Sequence, residues 1–419
     1  MFLTHQAETL RSELRAGLPE HLPQRLGVAV SGGGDSVALM YLLHEIAQSE
    51  NIHLFAATVN HGLRPEAADE AKQVADQAAR LGIAHETLLW QGWDGAGNLQ
   101  DQARQARYRL LTDWAQRNDI SAIALGHTAD DQAETVLMRL GRAAGVTGLS
   151  GMPNARVHNG VTLLRPMLGI TRQALRDYLS ELDVGWVEDP SNQDQRFDRI
   201  KARKALQDLK TLGISAQSLA RVAENLAQAR EALARYTQES ARSISVVDGG
   251  DVCLDRSGFK QVPAEIQRRL VVAIIAWIAG QGYAPRRAAV DKAVAAVADG
   301  RTMTLSGCLL IPHGNKTWFC RELNAVAGEM SAPNEVWDSR WILSGPPSPG
   351  AEVRVLGKDG LPQVPDWRDL GKPRKALLSS PAVWKGEKLL SAPLVAYSNG
   401  WTAEFAPHRP EFYSSILSH

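Results

Sequence analysis

Ser31-Gly32-Gly33-Gly34-Asp35-Ser36 sits between an apolar, partly β-branched run at 26–30 (LGVAV) and a helix-like apolar stretch at 37–43 (VALMYLL). Strand, glycine turn and helix in immediate succession gather backbone N–H groups around one concave point, at the positive end of a helix dipole. Such a point binds anions, and the glycines let a phosphate approach where a Cβ would block it. Two familiar nucleotide loops are excluded: no Lys-Ser/Thr pair closes a GxxxxGK[ST] pattern, and the spacing is not GxGxxG. Asp35 narrows the chemistry, because a carboxylate inside a phosphate cradle repels its ligand unless a divalent cation stands between them. An ordinary βα turn capped by Ser or Asp is the plainer alternative for the same residues.

The second group is Gly126-His127-Thr128-Ala129-Asp130-Asp131-Gln132-Ala133-Glu134. On a helix Asp131 and Glu134 share a face, with His127 and Asp130 at or before its first turn. Carboxylates opposite a phosphate loop suit Mg²⁺–ATP, as ligands or as charge balance. The same acids would also complement a helix dipole, and Thr128 with Asp131 reads as a capping box. In LQDQARQARY, residues 99–108, Arg104 and Arg107 share a helical face and could meet phosphate, substrate or RNA, or simply be solvated charges. Last comes Val187-Glu188-Asp189-Pro190-Ser191-Asn192, a turn and N-cap signal, followed by Arg196, Arg199, Lys201, Arg203 and Lys204. That basic stretch could neutralise an RNA backbone.

The elements that must position these groups alternate. Strands read at 26–30, 52–60, 85–89, 122–125 and 162–165, with helices at 66–81, 99–117, 130–140 and 171–182. The alternation predicts an α/β fold with a doubly wound, Rossmann-like parallel sheet. Ligands bind at the carboxyl ends of such strands, and SGGGDS, VNHGLR (59–64) and GHTADD (126–131) each follow one, so they share a mouth. Residues 141–162 read as a glycine-rich loop. Leu219, Val222, Leu226, Ala229, Leu233 and Tyr236 form an apolar stripe, read as the packing face of a long helix. Helices at 263–280 and 286–298, with a strand pair from 302–310 and 318–321, follow. The expected domains are a catalytic domain at 1–215, a helical middle domain with its long linking helix at 216–333, and a small α+β C-terminal domain at 334–419.

Composition excludes more than it assigns. Across 419 residues Lys+Arg and Asp+Glu are equal at 46 each, so no global field drives nucleic-acid binding, and any RNA must be met by local basic patches. Cys253, Cys308 and Cys320 show no CxxC spacing and support neither a disulfide framework nor a zinc or iron–sulfur site. The N-terminus lacks the apolar core of a signal peptide and no run is long enough to span a membrane, so a cytoplasmic protein without membrane contact is expected.

Taken in order, SGGGDS, VNHGLR, ARQARY, GHTADDQAETVLMRL, GLSGM, LRPMLGITRQALRDYL and WVEDPSNQDQRFDR resemble the tRNA(Ile)-lysidine synthetase family of the pyrophosphate-loop ATPase group, over most of residues 25–205. VWD near 338 and PAVWKGEKLLSAPL at 381–394 look like that family's C-terminal domain. The resemblance implies an enzyme acting on isoleucine tRNA with a CAU anticodon. Carbon 2 of the wobble cytidine is activated by ATP with release of pyrophosphate. Free L-lysine then displaces AMP through its side-chain amine, making lysidine. It also implies that Ser31, Gly32, Gly33, Gly34 and Ser36 cradle the pyrophosphate while Asp35 acts through Mg²⁺, with Asp131 as a second metal ligand. His127, Asp130, Asp131 and Glu134 would line the lysine and activation site. Arg104, Arg107, Arg139 and Arg203 would stabilise phosphate or position tRNA, and the C-terminal half would grip the acceptor stem. A homodimer is left open.

The chain departs from the family pattern at Asn60, where Asp is usual before HGLR, and at Arg199-Ile200-Lys201-Ala202-Arg203, where Arg-Asn-x-Ile-Arg is usual. A related tRNA thiolase would need cysteines at the mouth. A non-catalytic, ATP-regulated RNA-binding protein would have no use for acids around ATP.

Overall fold

The computed structural model describes residues 5–62, 66–91, 99–188, 198–280, 285–407 and 409–417. The chain divides into two compact units between Arg230 and Glu231.

The first unit runs α1 (His5–Ala16), β1 (Arg25–Ala29), α2 (Gly34–Glu50), β2 (His53–Asn60), α3 (Ala67–Arg80), β3 (Ala84–Leu89), α4 (Leu99–Arg117), β4 (Ala122–Leu125), α5 (Ala129–Leu140), α6 (Val146–Leu149), β5 (Ala155–His158), β6 (Val161–Leu164), α7 (Arg172–Glu181) and α8 (Asp198–Leu209). A long helix, α9 (Ala216–Ile244), carries the boundary. The sheet order is β3-β2-β1-β4-β6-β5. All its pairings are parallel except the edge hairpin β5–β6. The order reverses at β1, with β2 on one side and β4 on the other, and ligands bind at such a switch point in open α/β sheets. This is the expected doubly wound parallel sheet.

The central strands are apolar on both faces because helices cover both. Val28, Ala56 and Ala124 face a core built with Leu39, Leu42 and Leu43 of α2 and Leu175 and Leu179 of α7. Their neighbours Ala29, Ala57 and Ile123 face a second core around Leu111 and Trp114 of α4. A Cβ at Gly27 would come within 2.9 Å of the Trp114 ring, so this glycine lets the indole lie on the sheet. Trp114 is 2% exposed. Trp114→Ala is expected to cost about 3–5 kcal/mol, read as a lowered urea midpoint of the first unit.

Residues 141–162, expected as loop, contain α6 and β5. The β5–β6 connection is Asn159-Gly160, both at positive φ (47° and 77°), and Asn-Gly is a hairpin signal. β5 is largely exposed and so lacks an alternating apolar pattern. The stripe expected to pack α9 is also corrected in part. Val222, Ala229 and Tyr236 are exposed, while Ala220, Ala223, Thr237 and Ala241 are buried. Leu219, Leu226 and Leu233 of the stripe are half-buried, Leu233 against the second unit's core, so the packing face is shared between these leucines and the small residues beside them.

In the second unit α9 leads into β7 (Ser245–Asp248) and β8 (Asp251–Asp255), then α10 (Arg256–Gln261), α11 (Ala264–Ala279), α12 (Arg287–Asp299), β9 (Met303–Leu305), β10 (Cys308–His313) and β11 (Lys316–Arg321). The expected helices are α11 and α12. They pack on a five-stranded antiparallel sheet, β7-β8-β11-β10-β9, rather than beside one strand pair. The missed β7–β8 hairpin turns on Gly249-Gly250, both at positive φ. Further along are a four-stranded and a three-stranded sheet. The unit therefore carries antiparallel sheets throughout.

Candidate active site

Gly32 has φ +86° and its carbonyl accepts from the Val187 backbone N at 2.9 Å, a left-handed conformation that favours glycine. Gly34 opens α2, and a Cβ there would lie 3.3 Å from the Trp186 ring. Ser36 closes the turn on itself: its Oγ accepts from Ser31 N at 3.0 Å and donates to the Gly33 carbonyl at 2.9 Å. Its hydroxyl thus shapes the cradle. Ser36 N and Val37 N both donate to the Gly33 carbonyl, so Gly34 and Asp35 supply the N–H groups that a helix start leaves without an intrahelical acceptor, at the carboxyl end of β1.

β4 delivers the acids to the same point. A Cβ on Gly126 would stand 3.0 Å from Ser36 Cα, so the glycine lets the end of β4 abut the first turn of α2. The Thr128 backbone N and Oγ1 both donate to Asp131 Oδ2, at 2.9 and 3.0 Å, forming the expected capping box. The acids therefore cap α5 and also reach beyond it. Arg172, the first residue of α7, joins all of them. Its Nε donates to Asp35 Oδ2 at 3.0 Å, its Nη2 lies 3.5 Å from Asp131 Oδ1, and its backbone N donates to Asp130 Oδ2 at 2.8 Å. Burial pushes the Asp35 carboxyl up against the pull of Arg172. Burial also works against the Arg172 charge, but Asp35 and Asp131 outweigh it and keep the guanidinium protonated. Sequence reasoning missed Arg172. It lies 137 residues from Asp35, and its local signal is only the N-cap Thr171 before it.

Glu134 is 1% exposed. Its Oε1 accepts from Arg203 Nε at 2.9 Å, and its Oε2 is buried without a hydrogen-bond partner among the described residues. Burial raises the Glu134 carboxyl, with Arg203 opposing. A buried carboxylate oxygen without a donor is costly, and a positively charged donor would satisfy it. The expected pairing of Asp131 and Glu134 on one face of α5 therefore separates into two environments, one against Arg172 and one against Arg203.

His127 is uncharged near neutrality. Burial drives its pKa down to about 3, with Asp131 pulling up and Arg165, Arg107 and Arg104 pushing down. Its Nδ1 is buried without a hydrogen-bond partner among the described residues. Because the folded pKa lies below the ordinary value of about 6.5, the unfolded chain takes up the proton first as pH falls. This contribution to stability is intact above about pH 6.5 and is lost as pH falls from there towards 3. His127→Gln is expected to flatten the acid limb of a Tm–pH profile.

Three arginines act on His127 from outside the acid cluster. Arg107 of α4 has no ion-pair partner among the described residues, and burial lowers its pKa. The exposed Arg104 guanidinium stands 5.2 Å from the Tyr108 ring centroid. Arg165, also missed, is buried after β6 and donates from Nη1 to the Pro153 carbonyl at 2.9 Å. Arg139 is occupied elsewhere. Its Nη1 donates to the carbonyls of Gly148 and Gly151, at 2.7 and 2.8 Å, clipping the GLSGM turn to α5 beside the Gln132–Met152 pair.

Asn60, at the usual Asp position, accepts from Gly62 N through Oδ1 at 2.8 Å, a turn that Asp would make equally. On α8, Arg199, Lys201 and Lys204 are exposed and Arg203 turns towards Glu134. Leu63, Arg64, Asp189, Pro190, Ser191, Asn192 and Arg196 lie outside the described residues. The three cysteines are in β8, β10 and β11. Among the described residues no three His, Cys, Asp or Glu are arranged to hold a metal by themselves. Asp35 and Asp131 do direct oxygens at one cation, which fits Mg²⁺ held by two carboxylates and completed by substrate phosphates.

Residues 6–209 match the PP-loop domain family. Along its whole length the chain is 55% identical to the tRNA(Ile)-lysidine synthase of Ruegeria pomeroyi, over 419 residues and 100% of each chain. The chain belongs to the tRNA(Ile)-lysidine synthase family. The synthase of Wolbachia pipientis wMel is 33% identical over 89% of each chain. That of Bradyrhizobium diazoefficiens is 35% identical over 74% of this chain and 92% of the relative. The ligase family read from the motifs at 25–205 thus extends through the second unit, where the motifs alone were sparse.

Proposed function

We propose that this chain joins free L-lysine to carbon 2 of the wobble cytidine in isoleucine tRNA with a CAU anticodon, consuming ATP and releasing AMP and pyrophosphate. One observation carries the reading within the family: Asp35 and Asp131 meet on the Arg172 guanidinium, and one turn along α5 from Asp131, Glu134 holds a buried oxygen without a donor among the described residues. The cytidine carbonyl oxygen attacks the α-phosphorus and pyrophosphate leaves. The lysine side-chain amine then attacks carbon 2, loses a proton, and the carbon–oxygen bond breaks to release AMP.

The N–H groups of the SGGGDS turn and α2 bind the pyrophosphate portion of ATP, where the dipole favours negative charge. Asp35 and Asp131 would hold Mg²⁺, which supplies Lewis-acid charge neutralisation at the phosphates. Glu134 receives the lysine ammonium on Oε2, and Arg203 keeps that carboxylate oriented through Oε1. Asp131, or Glu134 itself, takes the proton that must leave before the amine can attack. His127, uncharged, offers a hydrogen bond rather than a proton sink. Arg107 and Arg165, whose charges reach His127, serve as phosphate contacts. The exposed bases of α8 meet tRNA phosphates. The substrate, rather than any feature of the chain, assigns the activity to the cytoplasm. Pyrophosphate release is the test. It is expected to require the tRNA and to proceed without lysine; release that ignores RNA would contradict the reading.

A further inference from the structure

We propose that Arg172 is a resident counter-cation: it holds the carboxylates that a divalent cation would otherwise neutralise, so that metal and guanidinium compete for them. The inference rests on the reading that Mg²⁺–ATP binds at this mouth. Three carboxylates from two elements are crowded here, and like charges at this range repel strongly where solvent is partly excluded. Among the described residues Arg172 is the one basic side chain ion-paired to Asp35 or to Asp131. One guanidinium against three carboxylates leaves negative charge over, which is the attraction for a divalent ion, and Arg172 sets how strong that attraction is.

The backbone makes the arrangement reversible. The Arg172 N–H is fixed on Asp130 and the N-cap of α7 is made by Thr171, so the side chain can swing away while the helix start stays in place. Its contacts are also graded, close to Asp35 at 3.0 Å and looser to Asp131 at 3.5 Å. A free divalent ion would have to displace the guanidinium unaided. An ion arriving with a nucleotide brings phosphates that can receive it. Arg172 is in this sense a positioning residue that makes metal and nucleotide arrive together.

The test is Mn²⁺ binding to the full chain without nucleotide or RNA, followed by the loss of the free-ion electron paramagnetic resonance signal. R172M, which removes the charge and keeps the backbone N–H, is expected to bind Mn²⁺ on the order of tenfold more tightly than the wild type. R172K keeps a charge and is expected to stay close to the wild type. Unchanged or weaker binding by folded R172M would overturn the proposal, as would an equal gain in R172K, since a purely structural side chain has no reason to repel metal. R172Q gives the same comparison should R172M not fold. Lysine transfer is not read in this experiment, so its failure and a failure of the proposed function are separable.

Discussion

Glu134→Gln is expected to leave activation running and to stop lysine transfer. The substitution keeps the shape of the side chain and its hydrogen bond from Arg203, but removes the charge that would receive an ammonium on the donor-free Oε2. Arg203 is one-third exposed and can turn to water, so the fold is expected to tolerate the change. Transfer of lysine is expected to fall on the order of 10²–10³-fold, by analogy with the loss seen when one preorganised hydrogen-bond donor is removed from an active site. RNA-dependent pyrophosphate release is expected to persist, because Glu134 faces Arg203 rather than the SGGGDS turn. Parallel assays of pyrophosphate and lysine incorporation check it. An equal fall in both would place Glu134 on the activation side.

Asp35→Asn is expected instead to lower both products together. Asn is isosteric with Asp, so the turn held by Ser36 and Gly32 remains. Lost are the charge against Arg172 and the carboxylate that would hold Mg²⁺. Pyrophosphate release at saturating ATP is expected to drop on the order of 10²–10³-fold, with lysine incorporation falling in step. Release at the wild-type rate would remove Asp35 from the activation step.

These two side chains mark what could be read from the chain before its structure. β1 and β4 were legible because both faces of each strand are buried, which gives short continuous apolar runs, ended at Ser31-Gly32 and at Gly126. The SGGGDS turn and the acids of α5 were legible for the same reason, as polar residues directly at strand ends. β5 was not, since its side chains are largely exposed and only Asn159-Gly160 betrays it. The packing face of α9 is legible only in part: Leu219, Leu226 and Leu233 are half-buried, while the fully buried Ala220, Ala223 and Ala241 carry little hydrophobic signal. Arg172 could not be found from spacing, because its partners Asp35 and Asp131 come from α2 and α5 and meet it only when α7 docks beside them. Arg139 illustrates the converse. The family resemblance offers it as a phosphate or tRNA contact, while its Nη1 donates to two carbonyl oxygens of a neighbouring turn, which no sequence pattern distinguishes. The Glu134–Arg203 pair joins α5 to α8, elements whose signals were each read but whose contact was not.

The most direct measurement is incorporation of radiolabelled lysine into an unmodified isoleucine tRNA transcript carrying the CAU anticodon, with ATP and Mg²⁺. A methionine tRNA with the same anticodon is the control. Acid-stable label is expected in the isoleucine transcript alone, and its loss is expected in Asp131→Ala. Absence of label from both transcripts, with folded protein that still binds ATP, would contradict lysidine synthesis by this chain.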